Sequence, residues 1–204
     1  MDVATQFPFN LRTRVSFGVG AFANVAAEAA AFGRTALLVT GRGAMRRSGV
    51  TERLVRQLSA AGARAVLYEE ASPNPTTVEV DRGADLARAE GALVIVGLGG
   101  GSAMDVAKGI AQVLANGKPC YELCGTTLER PGPPVIAVPT TSGTGSEVNG
   151  VAVVTEPARK HKTSLRGPAV GPARGVGDPE LSRSRPAPGK ASAGVDAQAP
   201  PRAA

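Results

Sequence analysis

ALVIVGLGGGSAMDVAK, residues 92–108, joins an apolar run, a cluster of glycines and the start of a helical segment. Residues 92–96 are continuously apolar, which is typical of a strand buried on both faces of a sheet. The segment after the glycines predicts a helix that runs to about Asn116. A buried strand that leads through glycines into a helix predicts a βα unit of an α/β protein.

The same alternation extends in both directions along the chain. Apolar runs predict further strands at residues 15–17, 35–40, 64–68, 135–138 and 151–155. Periodic segments predict further helices at residues 21–32 and 51–61, and one capped by Thr76 that runs to Glu90. Strands that alternate with helices of this length predict a mostly parallel sheet, with ligands bound at the carboxyl ends of its strands.

The composition of the chain changes near residue 166. Residues 1–166 carry the alternating pattern, whereas residues 167–204 are mostly Gly, Ala, Pro, Arg and Ser, with no aromatic residue. Such a segment buries too little apolar surface to offset its chain entropy, so we expect it to be loosely packed or poorly ordered. The segment has five basic and three acidic side chains, so two of the six net positive charges of the chain lie there.

Several functional classes are disfavoured by composition. Cys120 and Cys124 form a C-x3-C pair, and with His161 as the single histidine they cannot complete a structural zinc site, so we expect two free thiols. The amino terminus resembles no signal peptide, and no apolar stretch approaches the roughly 20 residues of a membrane span. The basic tail has no aromatic residues for stacking on bases. We therefore expect a cytoplasmic protein that binds neither membranes nor nucleic acid.

The glycine cluster is a candidate phosphate site. Glycines after a strand let the backbone approach a phosphate, and the N–H groups at the start of the next helix can bind the anion. Asp105 and Lys108 fall in the first turns of that helix, near the phosphate end. The spacing is neither G-x-G-x-x-G nor a P-loop, so a turn that only tightens the strand–helix junction is the alternative.

A second polar loop follows the strand at residues 135–138. PTTSGTGSE, residues 139–147, carries five hydroxyl side chains and two glycines. A helix N-cap at Thr144 or Ser146 would explain one hydroxyl but not the set. The loop is therefore a candidate for wrapping a ribose or a pyrophosphate.

Together these segments resemble the iron-containing (group III) alcohol dehydrogenase family. GGGSAMDVAK at residues 99–108 and PTTSGTGSEV at residues 139–148 match its paired signatures, and FPFNLRTRVSFGVGA, SPNPTTVEV, DPEL and GVDA agree elsewhere. The resemblance implies a Rossmann-like, doubly wound nucleotide-binding domain and a separate all-helical domain that holds iron or zinc. It also implies hydride transfer between NAD(P) and an alcohol or aldehyde, and a homo-oligomer is compatible with it. Glycerol dehydrogenase and maleylacetate reductase are the nearest rival families.

The resemblance also implies roles for individual residues. Position by position, the pyrophosphate would lie on the glycine turn, with Asp105 beside it, and the hydroxyl loop would lie along the cofactor. The residues concerned are Gly99, Gly100, Gly101, Ser102, Asp105, Thr140, Thr141 and Thr144. Asn74 and Lys162 would lie near the cofactor and the active site. Lys162 can also be a solvated charge in its KHK run, and we expect His161 to be a surface residue.

One departure from the family concerns the choice between NAD and NADP. After the strand at residues 35–40 the family usually has Asp, but this chain has Gly41 followed by Arg42. Loss of a carboxylate and gain of a guanidinium favour the 2′-phosphate of NADP. We therefore expect NADP to be tolerated or preferred.

The metal site that the resemblance implies is incomplete in this sequence. The family holds Fe2+ or Zn2+ with one Asp and three His, the first two in a D-x-x-x-H pattern. Asp196 matches the aspartate, but the histidine position is Pro200, and we expect the helical domain that would supply the rest to be missing. Two interpretations stay open: a metal-dependent oxidoreductase of this family, and a catalytically inactive nucleotide-binding fragment.

Overall fold

The computed structural model describes residues 12–182. Its six-stranded sheet comprises β1 (Arg14–Phe17), β2 (Thr35–Gly41), β3 (Arg64–Ala71), β4 (Val94–Gly99), β5 (Val135–Pro139) and β8 (Arg174–Gly177). The strand order is β1-β8-β5-β4-β2-β3, and every neighbouring pair is parallel. A separate antiparallel hairpin joins β6 (Val151–Glu156) to β7 (His161–Arg166).

Helices connect the strands, four of them where the sequence predicts a helix and two short ones where it predicts none. They are α1 (Val25–Phe32), α2 (Ala44–Arg47), α3 (Val50–Ala60), α4 (Thr77–Ala89), α5 (Gly101–Asn116) and α6 (Cys120–Leu123), with 3-10 turns at Ala21–Asn24 and Pro179–Ser182. Thr76 and Glu79 form a capping box that fixes the start of α4. No described helix is both long enough and apolar enough to cross a bilayer.

Two apolar cores lie on opposite faces of the sheet. Consecutive residues of a strand point to opposite faces, so Leu37 of β2 packs in the core under α4 and α5, and Leu38 packs in the core under α1 and α3. Both side chains are fully buried. The predicted α/β, doubly wound, Rossmann-like fold is confirmed.

The structure corrects the prediction for residues 167–182. Residues 174–177 form β8, which lies between β1 and β5 inside the sheet, although the sequence predicted no strand there. Its glycines are places where neighbouring atoms leave no room for a side chain. A Cβ on Gly177 would lie 2.7 Å from Phe17 Cδ2, and one on Gly175 would lie 3.0 Å from the carbonyl oxygen of Glu147. The remaining residues of the predicted tail lie outside the described part.

The strand predicted at residues 151–155 exists, but it is not part of the parallel sheet. As β6 it pairs with β7, and the hairpin packs against α5. The helix predicted at residues 21–32 begins as a 3-10 turn and becomes α-helical at Val25. Both thiols are free, with Cys120 buried and Cys124 partly exposed.

Candidate functional site

The carboxyl ends of four neighbouring strands open into a cleft of about 740 Å³. These strands are β2, β3, β4 and β5, where a doubly wound sheet binds its ligands. The lining of the cleft includes Gly41, Arg42, Arg47, Gly99, Gly100, Ser102, Thr140, Thr141 and Leu181. The cleft therefore brings together the glycine turn and the hydroxyl loop that the sequence singled out.

A second cleft, of about 270 Å³, adjoins the first. The two share Pro73 and Ser102, and the Ser102 hydroxyl donates a hydrogen bond to the Pro73 carbonyl at 2.9 Å. Among the predicted residues, Asn74, Gly101, Asp105, Thr144 and Lys162 line this smaller cleft. Every predicted cofactor residue within the described range therefore lines one of the two clefts.

The glycine turn lies directly against the hydroxyl loop, most tightly at Gly101. A Cβ on Gly101 would lie 2.9 Å from Thr144 Cγ2, whereas one on Gly100 would lie 3.6 Å from Thr141 Oγ1. Gly99 has φ +148°, a backbone conformation that residues other than glycine rarely adopt. Among the described residues no side chain caps the start of α5. The turn therefore offers bare backbone to a ligand, as a phosphate site requires.

Lys108 lies elsewhere than the sequence predicted. Its side chain is fully buried and lines neither cleft, and it reaches the segment between the hydroxyl loop and β6 that borders the smaller cleft. The ammonium donates to the carbonyl oxygens of Ser146, at 3.1 Å, and of Val151, and to Asn149 Oδ1 at 3.2 Å. Burial lowers the pKa of Lys108, and the Asp105 carboxylate, 3.2 Å away, opposes that shift.

Asp105 lines the second cleft, but its carboxylate is already engaged. Oδ1 accepts the Ser146 hydroxyl at 2.5 Å, and Oδ2 accepts the backbone N–H of Val153 at 3.1 Å. With Lys108 it ties the hydroxyl loop and β6 to α5. The arrangement indicates that this pair positions the loop, so contact between Asp105 and a cofactor stays a prediction.

Arg42 lies at the edge of the large cleft and is paired with an acidic side chain. Its Nη2 atom lies 3.4 Å from Oε1 of Glu79, which is buried at the start of α4. The other oxygen of Glu79 accepts hydrogen bonds from Ser72 and from the Thr76 backbone. The sequence could not show that Arg42 has this partner, because the two residues are 37 positions apart.

Sequence reasoning missed several residues of the large cleft. Met45, Arg47 and Ser48 line it from α2 and the turn after it. They follow β2, so the rule that ligands bind at strand ends could have found them. Leu181 lines the same cleft from the 3-10 turn after β8, in a segment predicted to be loosely packed.

The residues that the structure describes do not form the metal site that the resemblance implies. Within residues 12–182 no three His, Cys, Asp or Glu side chains come together in a metal-binding group. His161 is exposed at the start of β7. Asp196, the predicted metal ligand, lies outside the described residues.

Comparison with known proteins identifies the family. The family model described as iron-containing alcohol dehydrogenase matches residues 12–179. Choline dehydrogenase of Bacillus subtilis is 37% identical over 196 residues, which are 94% of this chain and 48% of that protein. NAD-dependent methanol dehydrogenase of Bacillus methanolicus is 33% identical over 181 residues, 88% of this chain and 48% of that protein.

Solved structures agree with these sequence matches. An archaeal halo-thermophilic alcohol dehydrogenase from a Red Sea brine pool superimposes with a TM-score of 0.87 and 35% identity, over 96% of this chain and 51% of that one. Sulfoacetaldehyde reductase from Bifidobacterium kashiwanohense, solved in complex with NAD+, superimposes with a TM-score of 0.85 and 31% identity. The match covers 95% of this chain and 51% of that one. The chain thus spans about half the length of the relatives it matches. It belongs to the iron-containing alcohol dehydrogenase family.

Proposed function

We propose that this chain binds NAD or NADP across the two clefts. The observation that carries the proposal is the bare glycine turn at the end of β4, which faces the hydroxyl loop after β5. The backbone of Gly99, Gly100 and Gly101 would hold the pyrophosphate. The smaller cleft, with Asn74 and Lys162, would hold the nicotinamide end. The NAD+ complex of the related sulfoacetaldehyde reductase supports the same ligand class.

The activity proposed for the whole protein is oxidoreduction of an alcohol or aldehyde. The relatives named for choline and methanol support an alcohol as the substrate. When bound, the nicotinamide supplies the group that takes or gives the hydride. The residues of this chain bind and orient it, and the hydrogen bonds of Lys108 and Asp105 hold the hydroxyl loop in position.

NADP is the finer proposal within this ligand class. The large cleft has Gly41 where a carboxylate would repel a 2′-phosphate, and no Asp or Glu stands among its described lining residues. Two arginines line it. Electrostatic complementarity therefore favours the more anionic nucleotide. NAD bound tenfold more tightly than NADP would contradict this proposal.

A substitution in the glycine turn tests the proposed site. In Gly100→Val the new Cβ has room, since its nearest protein atom would be 3.6 Å away, but the side chain enters the cleft. We expect the dissociation constants of NADH and NADPH to rise at least about tenfold, because the pyrophosphate could no longer approach the backbone. Fluorescence titration measures the change, and thermal unfolding checks that the fold is retained.

The matched control places the same side chain away from both clefts. In Gly171→Val the nearest atoms to the new Cβ are 3.9 Å away, and residue 171 lines neither cleft. We expect unchanged affinity for both nucleotides. Equal binding by Gly100→Val and the unmodified chain would place the nucleotide elsewhere.

The second candidate function is nucleotide binding without turnover. It is favoured by the finding that residues 12–182 contain no three-ligand group for a metal. We propose that the metal-dependent step takes its ligands from outside this range. After incubation with Fe2+ or Zn2+ and gel filtration, we expect this chain to retain far less than one ion and to reduce no aldehyde with NADPH. Stoichiometric metal measured by mass spectrometry would overturn this.

A further inference from the structure

The end of the large cleft next to β2 carries a guanidinium that the sequence did not single out. Arg47 is the last residue of α2 and lines the cleft together with Arg42 and Ser48. Its side chain folds back over the turn that follows β2, and its Nη1 atom lies 2.8 Å from the point that a Cβ on Gly43 would occupy. Gly43 has φ +85° and allows this close approach.

The neighbouring arginines already have acidic partners. Arg42 is paired with the buried Glu79. Arg46 donates from both Nε and Nη2 to the carboxylate of Glu69 and does not line the cleft. Within residues 12–182 Arg47 has no ion-pair partner. Of the two arginines that line the cleft among the described residues, Arg47 is therefore the one whose charge no neighbouring carboxylate offsets.

The position of Arg47 matches one part of the nucleotide in particular. In a doubly wound sheet the pyrophosphate lies on the glycine turn and the adenosine ribose lies at the end of the neighbouring strand. Here the glycine turn follows β4, which lies between β5 and β2, and of these two neighbours β2 is the one whose end carries the arginines. A phosphate on the ribose 2′ position would therefore lie at the end of β2, beside Arg47. A guanidinium binds such a phosphate through two parallel hydrogen bonds.

We propose that Arg47, rather than Arg42, is the residue that selects NADP over NAD in this protein. The proposal rests on the proposed nucleotide binding and names the group that recognises the 2′-phosphate. Arg42 contributes less, because the carboxylate of Glu79 offsets its charge. Gly41 lines the same cleft and adds no side chain to it.

The test compares nucleotides that differ by the 2′-phosphate. Dissociation constants of NADPH and NADH, and of adenosine 2′,5′-bisphosphate and adenosine 5′-monophosphate, are measured for the complete chain by titration. In Arg47→Ala we expect the first member of each pair to bind about 10- to 100-fold more weakly and the second to change less than about twofold. Arg47→Lys keeps the charge but loses the paired donors. Its affinity for the 2′-phosphorylated nucleotides is expected to lie between those of the unmodified chain and Arg47→Ala.

Two neighbouring arginines serve as controls. Arg46→Ala removes the same charge from the same helix but faces Glu69, so we expect no change in either affinity. Arg42→Ala is expected to weaken NADPH less than Arg47→Ala does. Thermal unfolding of each variant shows whether a loss of binding reflects a loss of fold.

Each other outcome overturns a defined statement. Equal weakening of NADH and NADPH by Arg47→Ala would assign Arg47 to the pyrophosphate and refute its selective role. A larger effect of Arg42→Ala on NADPH would return that role to Arg42. If the unmodified chain bound neither nucleotide, the proposed function itself would fail, and the Arg47 proposal with it.

Discussion

Lys108→Met is expected to lower the free energy of unfolding by about 3–5 kcal/mol, because it leaves the partners of a buried charge without their donor. The fully buried ammonium contacts oxygens of Ser146, Asn149 and Val151, as well as the carboxylate of Asp105. Methionine fills similar space but donates nothing. The buried carbonyl oxygens and the carboxylate would then lack the partner that offsets their desolvation.

Loss of this tie should also weaken nucleotide binding. The oxygens that Lys108 contacts lie in the segment that leads from the hydroxyl loop into β6, and this segment borders the smaller cleft. Without Lys108 that segment would sample other positions. We therefore expect the affinity for NADPH to fall in Lys108→Met even at temperatures where the variant is folded.

Urea unfolding followed by circular dichroism measures the stability change, with two controls. Lys118→Met removes the same charge from an exposed position and should change stability by less than about 0.5 kcal/mol. The double variant Lys108→Met/Asp105→Asn removes both charges and should be less destabilised than the sum of the single variants. If Lys108→Met lowered the free energy of unfolding by less than about 1 kcal/mol, the contacts of the ammonium would not contribute significantly to stability.

Most strands of the sheet and the helices that cover it could be predicted, because the apolar pattern of each segment indicates which of its residues are buried. In β2 and β4 nearly every residue is buried, since helices cover both faces of the sheet. Continuous apolar runs are the sequence signature of that situation. The glycine turn and the hydroxyl loop were predicted as a site for a related reason, since each directly follows such a run.

Strand β8 could not be predicted in the same way, because it is stabilised by pairing with neighbouring strands and not by an apolar pattern of its own. Its sequence, RGVG, has one apolar side chain, Val176, and two glycines that normally indicate a loop. The strand exists because β1 and β5 lie on either side of it. The partners of Arg42 and Lys108 are likewise facts of the tertiary structure, formed with residues 37 and 38 to 43 positions away. No local pattern encodes them.

Removal of residues 167–204 is expected to abolish cooperative unfolding, since it deletes a strand from the interior of the sheet. With β8 absent, β5 becomes an open edge and β1 loses the strand it pairs with. Among the described residues, the deletion also removes three buried aliphatic side chains, Val170, Val176 and Leu181. Their burial stabilises the fold by about 5–9 kcal/mol, comparable with the entire stability of an ordinary domain at about 5–15 kcal/mol.

Asp178 provides a graded version of the same experiment. Its buried carboxylate accepts the backbone N–H of Phe22 at 3.1 Å and that of Glu180 at 3.0 Å, which ties the end of β8 to the turn before α1. Asp178→Ala keeps the strand but leaves the buried N–H of Phe22 without this acceptor. We therefore expect a loss of about 1–3 kcal/mol with a single unfolding transition preserved.

The matched control for the deletion is a chain that ends at residue 182, which keeps β8, Asp178 and Leu181. We expect it to unfold in one transition, while the chain that ends at residue 166 shows a broad, non-cooperative change in circular dichroism. A cooperative transition at the same urea concentration in both chains would show that β8 adds little, and that residues 1–166 form the folding unit. The expected result instead makes residues 174–182 part of that unit, because the cleft wall at Leu181 and the sheet position between β1 and β5 depend on the same segment.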